Sequence, residues 1–184
     1  MPHETARGSE LAHTNTPWSR LATRTARGVL ARKDFSFAQL AERISVDGMP
    51  ESLRGTESKI HRGTYSLAFF LAMLDVVGAE YPTQWTKFID SNKSWENAAK
   101  HVFLHEMKAH GLSVKDLSDR LEELGISLKP EKVEAQLANG ELPFTAFLQL
   151  ALVVPVSEFT RFVDRNDLLE AAGDREFSAF QGKP

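Results

Sequence analysis

Residues 58–77 read SKIHRGTYSLAFFLAMLDVV, and residues 135–154 read AQLANGELPFTAFLQLALVV. Each begins as the end of an amphipathic helix, breaks at a glycine (Gly63 or Gly140), and continues as a nearly all-apolar run. The 77-residue offset between the glycines carries the rest of the chain into register without a gap. Trp18 falls on Trp95, Ala22 on Ala99, Ser36 on Ser113, Leu40 on Leu117, Arg43 on Arg120, Gly48 on Gly125 and Glu57 on Glu134. Phe70-Leu71 meets Phe147-Leu148, and Val76-Val77 meets Val153-Val154. Exchanges such as Phe37/Val114, Ile44/Leu121 and Ile60/Leu137 keep the apolar character in place. Self-similarity at a fixed period marks a repeated structural unit. The chain reads as two copies of one unit, about 18–80 and 95–157.

Each copy reads as helices. Thr16-Pro17 is an N-cap followed by proline at the first helical position, opening a helix to about Arg32. Ser36 and Gln39 have capping-box spacing between Phe35 and Leu40, and Ser113 and Asp116 repeat it between Leu112 and Leu117. A loop at Asp47-Gly48 precedes a helix over 52–62, which Gly63 ends as a C′ glycine. The following run, SLAFFLAMLDVV, is apolar on nearly every side and is expected at the centre of its unit, with Gly78 as its stop. Segments 82–90 and 158–172 are expected to be trailing helices. With no alternating strand pattern of useful length, the fold class is all-α. Four stretches follow: a mobile N-terminal arm over 1–15, a first unit with its trailing helix over 16–92, a second, degenerate unit over 93–173, and a mobile tail over 174–184.

The order within a unit is a capped helix, a turn, a second helix ended by glycine, and a buried helix. It resembles that of phage-repressor-like helix-turn-helix domains. The string LAERI…SKIHRGTYSLAFFLAMLDVVG more closely resembles a bacterial family without assigned activity, domain of unknown function family 6471. That family carries a Lys-Ile-x-Arg-Gly-x-Phe/Tyr-Ser core before a helix containing Phe-Phe. The likeness covers most of residues 20–80, and the second copy keeps the skeleton without the motif. It implies a tandem repeat of two repressor-like helical units. Leu40 to Gly63 is about six residues longer than in common repressors, so the turn is enlarged.

Charge divides the copies. The 184-residue chain carries 22 Lys+Arg and 25 Asp+Glu, net −3, which excludes a uniformly basic coat. Unit one holds nine basic and seven acidic residues, unit two six and nine. Between Leu11 and Lys33 lie five basic residues and no acid, with Arg20, Arg24 and Arg27 on one helical face. On a helix over 53–62, Leu53, Thr56 and Ile60 share the inner face while Arg54, Ser58, Lys59 and Arg62 point outward. Recognition helices are built this way, with apolar anchors inward and hydrogen-bonding or basic groups toward the duplex. The repressor resemblance implies base-reading positions for Arg54 and Lys59, and phosphate-contacting positions for Arg62, Thr64 and Tyr65. The candidate DNA-binding set is therefore Arg54, Ser58, Lys59, Arg62, Thr64, Tyr65, Arg20, Arg24 and Arg27. The aligned positions of unit two include Glu131, Gln136, Asn139 and Glu141, which suit packing or association better than phosphate.

Other chemistry is sparse. Cys is absent, which excludes disulfides, thiolate metal sites and thiol catalysis. His101 and His105 stand four residues apart, but HVFLHE reverses the order of a zinc-hydrolase helix, and they read as surface or half-buried histidines. Phe69, Phe70 and Trp85 read as core rather than a ligand pocket. No nucleophile elbow or phosphate-cradling loop appears, so no enzyme, metal or cofactor is expected. The most apolar stretch, Leu67 to Ala79, is too short and polar to span a bilayer, and the N-terminal residues lack a signal-peptide layout. The expectation is a cytoplasmic transcriptional regulator that binds double-stranded DNA through unit one. Its units would pair within one chain or between two copies. A protein–protein adaptor is the principal alternative, and a small-molecule-binding helical protein or enzyme a third.

Overall fold

The computed structural model describes residues 15–91 and 94–173; the expected arm over 1–15, apart from Asn15, and the expected tail over 174–184 lie outside them. Among the described residues ten α-helices run in order as α1 (Pro17–Arg32), α2 (Phe37–Val46), α3 (Leu53–Arg62), α4 (Leu67–Val76), α5 (Thr86–Ser91), α6 (Trp95–Ala109), α7 (Val114–Glu123), α8 (Pro130–Asn139), α9 (Phe144–Val153) and α10 (Arg165–Ala171). Among the described residues there is no strand, and no helix is long and apolar enough to cross a membrane. The bounds of α2, α3 and α4 recur in α7, α8 and α9 at an offset of 77. Each trailing segment is a short 3₁₀ turn (Thr83–Trp85 or Phe159–Arg161) with a helix after it.

Local chemistry sets the helix ends. Ser19 N–H donates to Thr16 Oγ1 at 3.0 Å while Thr16 N–H donates to Ser19 Oγ at 2.9 Å, closing a capping box at α1. Ser36 with Gln39 closes one at α2, and Ser113 with Asp116 closes its counterpart at α7. These boxes satisfy amide groups that a helix start leaves without partners. Gly63 ends α3 with φ +63° and Gly140 ends α8 with φ +70°, the left-handed conformation that favours glycine. Both glycines also lie against the first helix of their unit. A β-carbon at Gly63 would stand 1.9 Å from the Ser19 carbonyl oxygen, and one at Gly140 would stand 2.6 Å from Glu96 Cβ. Ser19 and Glu96 are themselves 77 residues apart, so the close approach is part of the repeat.

The copies are joined through their apolar helices. Helix α4 packs on α6 of the other unit, and α9 packs reciprocally on α1. Leu67 N–H donates to the Leu142 carbonyl at 2.8 Å, and Phe144 N–H donates to the Tyr65 carbonyl at 3.0 Å. The central residues of this antiparallel bridge, Ser66 and Pro143, are aligned repeat positions, so the units meet there about an approximate two-fold. Phe144 stacks on Phe70 at 4.2 Å and on Tyr65 at 5.2 Å between ring centroids. One apolar cluster runs through both units. The buried Trp85 indole N–H donates to buried Glu106 at 2.7 Å, fastening the turn after unit one to α6. Helix α10, the last element of unit two, rests on α1 of unit one.

Candidate nucleic-acid interface

Helix α3 is held from below by Thr56 and Ile60, both fully buried, and by its contacts with α1 and α2. The Thr23 hydroxyl of α1 donates to the Ile60 carbonyl at 2.8 Å, fixing the C-terminal end of α3. Ser52 Oγ accepts the Gly55 N–H at 3.0 Å at the other end. The loop between α2 and α3 is closed by Ser45, whose Oγ donates to the Glu51 carbonyl at 2.9 Å and accepts its N–H at 3.1 Å. Gly55 leaves room for the Glu51 carboxylate, 2.9 Å from where a β-carbon would stand.

Opposite Thr56 and Ile60, the helical period aligns Arg54, Ser58 and Arg62 in one row along α3. Arg54 and Arg62 are exposed, and the Arg62 guanidinium donates to Ser58 Oγ, which steadies it on the row. The first and last members are about 12 Å apart along the axis at 1.5 Å per residue. Thr64, just past the glycine, is exposed at the same end.

Arg20, Arg24 and Arg27 are exposed on α1 as their spacing predicts. Arg20 and Arg24 meet His61 of α3 around an open groove of about 450 Å³, so the α1 stripe borders the C-terminal end of α3. Glu170 of α10 lines the same groove, and Asp167 approaches the Arg24 guanidinium at 3.8 Å. Nothing in the local sequence pointed to these two acids, which arrive from more than 140 residues away.

Three expectations are corrected. Tyr65 is 1% exposed, and its hydroxyl donates to the Ala22 carbonyl at 2.6 Å; its phenol is pushed well above the ordinary range by burial. It belongs to the core and cannot reach a phosphate. Lys59 leaves the outward row: its ammonium pairs with Glu51 and lies 5.7 Å from the centre of the Phe69 ring. Partial burial lowers its pKa from the usual lysine range. Leu53 is 45% exposed rather than inward, because the first turn of α3 projects past the packed part of the helix.

Unit two presents a helix with the same bounds and different chemistry. The α3 row Arg54, Ser58 and Arg62 aligns with Glu131, Ala135 and Asn139 of α8, all exposed. The α1 stripe Arg20, Arg24 and Arg27 aligns with Asn97, His101 and Leu104. His101 and His105 lie beside the Phe88 ring, at 6.0 and 5.2 Å between centroids. No group of three or more His, Cys, Asp or Glu among the described residues is placed to hold a metal ion.

None of the curated proteins and none of the solved structures compared with the chain matches it. The family model described as domain of unknown function DUF6471 matches residues 18–81 and again residues 95–159. These spans coincide with the two helical units and cover more than half of the sequence. The chain therefore belongs to the DUF6471 family, and it carries the family's domain twice.

Proposed function

We propose that this protein binds double-stranded DNA in a sequence-dependent way through unit one, with α3 as a helix-turn-helix-like reading element, and that it regulates transcription without catalysis. One observation carries this reading. Two units with matching helix bounds differ at the outward row, which is basic on α3 (Arg54, Arg62) and acidic or neutral on α8 (Glu131, Asn139). Scaffold needs are met equally by both, so the cations answer to something outside the fold. Collected positive charge beside hydrogen-bonding side chains on an exposed helix suits phosphates and base edges. The arginines of α1, bordering the same end of α3, add backbone-contacting charge. Pairing of the units inside one chain leaves one basic reading face per molecule, so a palindromic site would need two chains.

The row assigns different roles to its members. Arg54→Ala should weaken binding by about 1–3 kcal/mol and relax preference at one base pair, as loss of a guanine contact does. Arg62→Ala should weaken all duplexes alike and reduce the salt slope by about one, as loss of a phosphate contact does. Glu131→Ala should leave affinity nearly unchanged. Fluorescence anisotropy on an enriched duplex, with circular dichroism on each variant, checks all three. Wild-type binding by both arginine variants would remove α3 as the reader and leave the adaptor reading in its place.

A further inference from the structure

Leu53 is exposed where the helical pattern called for burial, and its surroundings show a use for it. Two of the exposed large apolar side chains, Val46 (86%) and Leu53 (45%), flank the loop between α2 and α3. The Ser45–Glu51 hydrogen bonds tie the ends of that loop together, so both side chains leave from one end of the α2–α3 pair. At the aligned positions unit two has Glu123 and Pro130. The pair thus accompanies the cations in the unit that carries them; the corresponding loop of unit two exposes Leu124, one position later and aligned with Asp47, with no apolar partner at the start of α8. Leu53 immediately precedes Arg54 in the first turn of α3, the end of a recognition helix that meets base edges.

The major groove offers one apolar group, the thymine C5-methyl, and aliphatic side chains read it by contact. Building on the DNA-binding reading, we propose that Leu53 is a specificity-determining residue that packs on a thymine methyl next to the guanine read by Arg54, with Val46 covering its flank. The preferred ligand is then a duplex with a T·A pair adjacent to that G·C pair. The cations on the same helix favour a nucleic-acid occupant over an apolar protein surface, because docking a protein there would cover Arg54 without a partner.

The test uses the full chain and a duplex enriched from a random library. Each thymine is replaced in turn by deoxyuridine, which removes the methyl and keeps the hydrogen-bonding edge. At one thymine, beside the base pair that Arg54→Ala relaxes, the replacement should weaken wild-type binding roughly fourfold, the worth of one buried carbon group. Leu53→Ala should bind the two duplexes equally, whereas Leu53→Met should retain the preference. Leu53 is half exposed, and circular dichroism should show both variants folded. Tight wild-type binding without any Leu53-dependent methyl effect overturns the inference and leaves the DNA reading standing. Dissociation of a dimer by Leu53→Ala in sedimentation, with the methyl effect absent, overturns it in favour of a self-association face. Failure to enrich any duplex overturns both.

Discussion

Phe144→Ala should destabilise the whole molecule by about 3–5 kcal/mol, the range for removing a large aromatic side chain from a packed core. Phe144 is fully buried where the two units meet. Its ring stacks on Phe70 and Tyr65 of the other unit, and its backbone N–H donates to the Tyr65 carbonyl. Alanine would keep the backbone bond and leave a void between α4 and α9, whose lining would lose its contacts outright. Because α1 packs on α9 and α6 on α4, the loss cannot be confined to unit two. Urea unfolding followed by far-ultraviolet circular dichroism and by tryptophan fluorescence should show one transition, shifted equally in both signals. The three tryptophans sample both units and their junction: Trp18 is buried on α1, Trp85 is buried against α6, and Trp95 of α6 donates to Asp47 of unit one. A second transition, with one unit keeping its wild-type midpoint, would mean that the units fold separately.

Gly63→Ala should be nearly as severe, for a different reason. A non-glycine residue held in the left-handed region costs about 1–2 kcal/mol. The new β-carbon would also lie 1.9 Å from the Ser19 carbonyl oxygen, and a backbone atom cannot rotate away. Helices α1 and α3 would have to separate, stretching the bond from Thr23 to the Ile60 carbonyl. Overpacking of this kind costs about 1–3 kcal/mol more, so a loss of about 2–5 kcal/mol is expected in urea denaturation. Gly140→Ala is the informative companion. Its β-carbon would stand 2.6 Å from Glu96 Cβ rather than 1.9 Å from a carbonyl oxygen, a lesser overlap, so its loss should be the smaller. A Gly63→Ala protein within about 0.5 kcal/mol of wild type, the usual scatter of surface changes, would contradict the close approach of α1 and α3.

The helices were legible because their signals are local. Thr16-Pro17, Ser36…Gln39, Ser113…Asp116, Gly63 and Gly140 act over a few residues, and each marks the helix end it predicted. The 77-residue register then carried unit one's organisation onto unit two. What stayed hidden depends on distant contacts. Tyr65 lies between two helices, where no periodicity assigns a face. Its burial comes from α1 and from Phe144, 43 and 79 positions away along the chain. The repeat held a usable signal, since the aligned residue is Leu142, an apolar side chain. Lys59 has the right helical phase for an outward cation, yet its partner Glu51 reaches it from the loop, beyond helical i, i+4 spacing. The exchange of helix contacts between units leaves no trace in composition or period, because it needs only that α4 and α9 be apolar all round.

The central claim concerns unit one as a reader of DNA. It is tested most directly by enriching duplexes from a random library with the full chain and titrating the best one against a shuffled duplex at several salt concentrations. The expected result is a dissociation constant of about 10⁻⁸ M or tighter at physiological salt, at least about a thousandfold below the shuffled duplex. Affinity should fall with rising salt as several phosphate contacts require. If no duplex is bound more tightly than about 10⁻⁵ M, within the ordinary non-specific range, the cations of α1 and α3 are not a DNA-reading surface.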